Sequence, residues 1–337
     1  MNREQHNPVV FVVGCPRSGT TLLQRMLDSH PRMAVANDTH FIPRCLEKHA
    51  PHRVTDAIRG RDIPLTAELA TGVTGYRRFT RLGLTREWAQ AATRQSETYQ
   101  QYVSCLYDGF AALHGKQLAG EKTPDYIRRL PVLHGLFPEA RTIHIIRDGR
   151  DVALSALQWA TDGKGPGKLE RWAEDPIAVS AVWWRWQVQH GRQSAELLGP
   201  GHYTEVCYDD LVAQPERELR RLAAFLELPF AAEMLNYHAG RVRSQPGLSA
   251  KKAWLPPTPG LRNWRREMAP RDVELFEAIA GSLLEELGLE RAYSRISPEV
   301  ERKASSILAW WKAHRDRREA KVRKRARTWQ TAGSREG

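Results

Sequence analysis

An α/β fold is what this sequence predicts: a P-loop-type parallel sheet flanked by helices, with a basic helix at the C-terminal end. Three observations carry the prediction. An apolar, β-branched run from Val9 to Val13 meets the turn Gly14-Cys15-Pro16-Arg17-Ser18-Gly19, and helix-periodic sequence continues from Thr20 to about His30. That order reads as strand, phosphate loop and helix. A second strand, turn and helix follow in Thr142 to Ile146, Arg147-Asp148-Gly149-Arg150-Asp151 and the segment reaching Ser155. Third, 337 residues with 41% hydrophobic content suffice for one large α/β domain plus appendages. The division predicted is a domain over 1–295 and a basic helical tail over 296–337.

The loop carries the first chemical signal. Gly14 and Gly19 allow the backbone to approach an anion closely, and the amides opening the next helix point at it. The spacing is that of a Walker-type loop, but Thr20 stands where an ATP-binding loop needs Lys, and the cation comes earlier, at Arg17. A ligand-free turn would not need Arg, Ser and two Thr together.

Composition narrows the partners without choosing one. The net charge of +12 implies something anionic: nucleotide, nucleic acid, sulfated glycan or membrane. Cys15, Cys45, Cys105 and Cys207 are widely spaced and read as reduced thiols of a cytoplasmic protein. The Val9–Val13 run is too short to span a bilayer and lacks the flanks of a signal peptide.

Taken in order, residues 1–8 are a polar lead-in, and Pro31 stops the helix after the loop. Met33 to Asn37 reads as a second strand, with Asp38-Thr39-His40 at its carboxyl end, where open α/β sheets bind ligands. From Phe41 to about Gly115 the pattern is helical and irregular, with Arg-rich turns and no motif. Gly120-Glu121-Lys122-Thr123-Pro124 precedes a helix containing Tyr126 and Leu130. A long helix from about Pro176 to Leu198 holds Trp183, Trp184 and Trp186, whose spacing reads as core. His202 to Tyr208 is a further strand, and Tyr208-Asp209-Asp210 opens the next helix. Gly260-Leu261-Arg262-Asn263-Trp264-Arg265 follows a Pro-rich turn, and a helix over Arg271 to Leu287 comes next. Ser297-Pro298 caps and starts the last helix. It carries Trp310 and Trp311, and residues 312–327 hold nine Lys/Arg against Asp316 and Glu319. Such a run reads as a solvated helix, or as one that docks on an anionic membrane.

Pro16-Arg17-Ser18-Gly19-Thr20-Thr21-Leu22-Leu23, followed by Asp28-Ser29-His30-Pro31, resembles the phosphosulfate loop of the sulfotransferases. Those enzymes use 3′-phosphoadenosine 5′-phosphosulfate (PAPS), and the Arg and the His-Pro are similar to the bacterial branch and the protein-tyrosine sulfotransferases. The resemblance covers roughly residues 9–290. It implies sulfuryl transfer from PAPS to an acceptor hydroxyl, without a metal. Arg17, Ser18 and the Gly19, Thr20 and Thr21 amides are then expected on the 5′-phosphosulfate. Arg147 and Ser155, in a stretch like the family's R-D-x-R-D-x-x-x-S, are expected on the 3′-phosphate, although Asp148 and Asp151 could instead neutralise Arg147 and Arg150 in an ion-paired turn. Lys122 matches a family lysine beside the leaving-group oxygen, or is a surface lysine. Tyr208 is expected near the nucleotide or in the core, and Arg262 or Arg265 over the 3′-phosphate. The expected base is Asp38, where the family has Glu. His40 is its rival, and a turn-capping Asp38 paired with Arg44 is the structural alternative. An extended segment would point Asp38 and His40 to one side. Residues 41–115 are a variable insert suited to acceptor recognition, the acceptor being a small molecule, glycan, lipid or peptide tyrosine. Two other classes are a P-loop kinase or NTPase, which Thr20 disfavours, and a nucleic-acid-binding protein using the tail, which is not expected.

Overall fold

The computed structural model describes residues 7–160, 164–239, 256–258, 260 and 262–333, with the backbone alone over 321–333. Residues 1–6 of the lead-in, Leu261 of the late element and the side chains of the tail's last basic residues lie outside the described set. The strands are β1 (Val10–Val13), β2 (Met33–Asn37), β3 (Leu118–Lys122), β4 (Arg141–Ile146) and β5 (Tyr203–Cys207). They form one sheet in the order β2-β3-β1-β4-β5. The pairs β1·β3, β1·β4 and β2·β3 are parallel, with Phe11 opposite Glu121 and Thr142, and Asn37 opposite Lys122.

The helices of the first half are α1 (Thr20–Asp28), α2 (Phe41–His49), α3 (Val54–Ile58), α4 (Ala67–Thr74), α5 (Arg86–Arg94), α6 (Tyr99–Leu113) and α7 (Leu130–Leu136). Those of the second are α8 (Gly149–Trp159), α9 (Pro176–Leu198), α10 (Tyr208–Ala213), α11 (Pro215–Phe225), α12 (Trp264–Glu267), α13 (Pro270–Glu286) and α14 (Pro298–Gly333). The region 41–115 thus holds five helices. Thr66, Thr85 and Thr98 each accept a backbone N–H to start α4, α5 and α6.

The chain forms two compact units. The first takes Met1–Gly14, Gly19–Ile145 and Gly191–Thr258, and holds the sheet. Its β1 is buried on both sides: Phe11 and Val13 join a cluster with Phe41, Tyr99 and Leu133, while Val10 and Val12 join Leu23, Met26, Leu211 and Leu222. Alternate side chains of one strand thereby seed two apolar layers.

The second unit takes Cys15–Ser18, Ile146–His190 and Pro259–Gly337. Its core gathers Val152, Trp183 and Trp184 with Phe276 and Leu283 of α13, and with Val300, Ala304, Ile307 and Trp311 of α14. Spacings of three and four residues put those four on one face of α14. Trp311 packs edge-on against Trp186 at 5.4 Å, and the Trp310 indole N–H donates to Glu170. The aromatic pair that the sequence offered to a membrane is therefore part of this packing. Among the described residues, no helix is long and apolar enough to cross a membrane.

Candidate active site

The loop from Gly14 to Gly19 joins β1 to α1, and its backbone explains its composition. Gly14 has φ +157°, and a Cβ there would lie 2.5 Å from the Ile145 carbonyl oxygen. Gly19 has φ +94°, and a Cβ would lie 2.3 Å from the Tyr208 ring. Tyr208 is thus a brace against the loop, buried in the layer that contains Leu23 and Leu211. Gly19 caps α1 without a side chain, and no acidic residue occupies the first turn. The amides of Thr20 and Thr21 therefore open the helix with no acidic side chain in its own first turn to neutralise its positive end. The Ser18 hydroxyl is fully buried and has no hydrogen-bond partner among the described residues.

Arg17 adopts φ +81°, a left-handed conformation for a non-glycine residue. Its Nε donates to Ser155 Oγ at 2.9 Å, joining residues that the sequence assigned to opposite ends of the donor. Burial, then Arg262, then Arg147 depress the Arg17 pKa from its usual value. The Arg262 and Arg147 guanidiniums thus lie near enough to repel that of Arg17.

Arg147, directly after β4, is 7% exposed. It donates to Asp151 at 3.1 Å, and its carbonyl accepts the Trp184 indole N–H at 3.1 Å. The other Asp151 oxygen accepts the Trp264 amide at 2.9 Å, so one carboxylate holds both Arg147 and the start of α12. Arg262 donates to Gln158 at 2.5 Å and pairs with Glu267 at 3.3 Å. Arg265 instead pairs with Glu290 at 2.7 Å and stacks on Trp264 at 4.4 Å. Of the two late cations, Arg262 contributes to the field at Arg17. Arg150 is structural: it is 1% exposed, pairs with Asp148 at 2.7 Å and Glu277 at 2.6 Å, and also lies over the Trp264 ring at 3.6 Å.

A second group of ionisable side chains lies where β2 and β3 end. Lys122, the last residue of β3, is 2% exposed and lies 3.3 Å from an Asp38 carboxylate oxygen. Burial lowers its pKa, and Asp38 opposes that shift. Asp38 continues the ladder by donating its amide to the Lys122 carbonyl at 2.6 Å. Its carboxylate also lies 3.7 Å from Arg81, whose guanidinium bonds the Asn37 and Asp38 carbonyls at 2.9 and 3.2 Å. Arg78 reaches the Asp38 carbonyl at 3.1 Å. Arg44 is engaged with Asp125 at 3.1 Å rather than with Asp38.

The segment 38–40 is not extended. Asp38 has φ +57° and His40 φ +64°, because the chain turns sharply into α2. The expected alignment of the two side chains fails for that reason. Burial, then Arg78 and Arg44, push the His40 imidazole down to about 3. It is therefore neutral and weakly basic near pH 7. Its Nδ1 is buried with no partner among the described residues.

Sequence reasoning missed Glu121. It was quoted within the Lys122 motif and given no role, yet it is fully buried and accepts from Thr39, Tyr107 and Thr123. A carboxylate beside the motif lysine, directly after Leu118-Ala119-Gly120, was the signal available.

Known proteins resemble the chain in sequence and in fold. Protein-tyrosine sulfotransferase A of Caenorhabditis elegans is 25% identical over 235 residues, covering 68% of this chain and 53% of the relative. The chain thus spans about half the length of that animal protein. The nodulation protein NoeE of Sinorhizobium fredii is 27% identical over 332 residues, covering 91% of this chain and 74% of the relative. The sulfotransferase domain of the Synechococcus PCC 7002 olefin synthase shares the fold with a TM-score of 0.56 at 22% identity, over 86% of this chain and 98% of that domain. The sulfotransferase family model matches residues 8–232. With two thirds of its residues inside that match and the fold of a sulfotransferase domain, the chain belongs to the sulfotransferase family.

Proposed function

We propose that this sulfotransferase moves the sulfuryl group of PAPS to an acceptor hydroxyl, releasing adenosine 3′,5′-bisphosphate. The observation that carries the reading is the Arg17–Ser155 hydrogen bond, in the field of Arg147 and Arg262. Guanidiniums that repel Arg17, beside a loop carrying a buried Ser18 hydroxyl with no partner among the described residues, fit a donor with anionic groups at two places on one ribose. In this reading the Gly19, Thr20 and Thr21 amides and Ser18 hold the 5′-phosphosulfate, and Arg147, Ser155 and Arg262 hold the 3′-phosphate. Arg17 is assigned to the 5′-phosphosulfate. The side-chain cations meet the donor's charge without a metal.

Asp38 is assigned as the base and Lys122 as the group that stabilises the leaving oxygen. The acceptor oxygen forms a bond to sulfur as the bond from sulfur to the bridging phosphate oxygen breaks. The hydroxyl proton passes to Asp38, which weakens its ion pair with Lys122. The ammonium charge is then released for the oxygen on which negative charge develops.

Residues 41–115 are assigned to acceptor recognition, and the acceptor class among small molecule, glycan, lipid and peptide is theirs to choose. The names of the tyrosine-modifying relatives make a tyrosine hydroxyl the first acceptor to test. Four cysteines without disulfides support a cytoplasmic setting. A membrane role for the tail could not use Trp311, which is buried.

Calorimetry tests the donor assignment. In EDTA, the protein is expected to bind adenosine 3′,5′-bisphosphate in preference to ADP. Arg17→Ala and Arg147→Ala should each cost about 1.5–3 kcal/mol of that affinity. Equal affinity for the two nucleotides removes the 3′-phosphate assignment.

A further inference from the structure

We propose that Glu121 is a positioning residue for the transfer: its carboxylate fixes the left-handed turn that sets Asp38 against Lys122. The inference rests on the reading of Asp38 as the base. Glu121 and Lys122 are consecutive on β3, so their side chains leave opposite faces of the strand. Lys122 meets the Asp38 carboxylate, while Glu121 accepts the Thr39 amide at 3.0 Å from its own side. The turn is thus held at consecutive residues, by the Asp38 amide on the Lys122 carbonyl and the Thr39 amide on Glu121. Two further donors converge on the same carboxylate: the Tyr107 hydroxyl of α6 at 2.8 Å and the Thr123 hydroxyl. Thr39 Oγ1 closes the cluster against Tyr107 at 3.3 Å.

A fully buried carboxylate is costly, and no Lys or Arg among the described residues lies within ion-pair distance of this one. Packing alone would be served by an apolar side chain opposite Phe11. What a carboxylate adds is the capacity to accept three donors from three segments at once, and a neutral side chain would have to give one of them up.

Asp38, Lys122, Tyr107 and Tyr126 are the ionisable groups that face it. Burial pushes the Glu121 carboxyl up to about 7, with the Asp38 charge adding to the shift and the three hydrogen bonds opposing it. The ionised form that accepts all three donors is therefore present above about pH 7 and lost below it. Turnover should fall on that acid limb.

The sign for folding runs the other way. A carboxyl raised in the folded state contributes stability that is fully present below its unfolded value and is lost as pH rises through 7. Glu121→Gln should therefore lose turnover at pH 8 without losing thermal stability, a separation that a merely structural glutamate would not give.

The experiment follows sulfuryl transfer from PAPS to p-nitrophenol, together with amide hydrogen exchange over residues 37–41 and thermal melting. Glu121→Gln is expected to lower kcat on the order of 10²-fold, with KM for PAPS unchanged and the acid limb near pH 7 gone. The Thr39 amide should exchange faster. Tyr107→Phe keeps the charge but removes one donor, so its acid limb should move to higher pH. The proposal is overturned if Glu121→Gln keeps the wild-type acid limb and Thr39 protection. It is overturned equally if kcat, donor affinity and melting temperature fall together. The base reading fails separately, if Asp38→Asn keeps full turnover. Thr39 exchange still reports on Glu121 in that case, and in the event that p-nitrophenol is not accepted.

Discussion

Three non-glycine residues of the proposed site adopt positive φ: Arg17 at 81°, Asp38 at 57° and His40 at 64°. Each such residue costs about 1–3 kcal/mol and persists only where its surroundings over-determine it. At Asp38 they do, since its carbonyl, amide and carboxylate are all engaged, by Arg78 and Arg81, by the Lys122 carbonyl and by the Lys122 ammonium. Asn tolerates this conformation as well as Asp does. Asp38→Asn should accordingly fold normally and bind nucleotide normally, while turnover drops by about 10²–10⁴-fold. His40→Ala should keep most of its turnover, because an imidazole pushed down to about 3 is a poor proton acceptor. The reverse pattern in steady-state kinetics would transfer the role of base to His40.

At the scale of elements, α14 is anchored by its first half. Val300, Ala304, Ile307 and Trp311 are all buried in the second unit's core, and Lys303 pairs with Asp175. Full burial of a large apolar side chain contributes about 1.5–3 kcal/mol. Truncation after Arg295 should therefore lower the melting temperature sharply, and truncation after Ala320, which keeps all four residues, should barely change it. Equal melting curves would show that α14 adds nothing to that core. Elements of this kind were legible where the pattern was strong. β2 at Met33–Asn37 and α9 at Pro176–Leu198 stand where hydrophobic runs and Pro boundaries put them. The five helices of 41–115 were not separable, because short helices carry little periodicity, although Thr98-x-x-Gln101 is a capping box that marks α6. In the proposed site, the residue types were legible and their partners were not. Arg17 and Ser155 lie 138 positions apart, and only the fold decides that one donates to the other. Arg265 pairs with Glu290, a residue that no motif contains.

For the first unit as a whole, the buried histidines set a limit in acid. Burial is the main cause in each case, pushing His134 down to about 4 and His40 and His144 to about 3. Their unfolded value is near 6.5. A histidine depressed in the folded state takes up its proton more readily when unfolded, so it costs stability as pH falls below 6.5 until its folded value is reached. Glu121 works in the opposite sense between about 7 and its unfolded value, since there the folded state holds the extra proton. Three imidazoles against one carboxyl leave unfolding to take up about two net protons between pH 6 and 5. That corresponds to about 2.7 kcal/mol of stability lost per pH unit. Ion-paired carboxylates such as Asp125, which against the opposing effect of burial the Arg128 guanidinium holds below its usual value, add to the loss at lower pH. Set against a net stability of about 5–15 kcal/mol, this loss removes a substantial share of the stability by pH 5, before most carboxylates begin to titrate. Denaturant melts at pH 7.5, 6 and 5 would measure the slope directly, and His144→Gln should make it shallower by about one proton. A stability that stays flat from pH 7 to 5 would mean that these imidazoles are not held neutral in the folded protein.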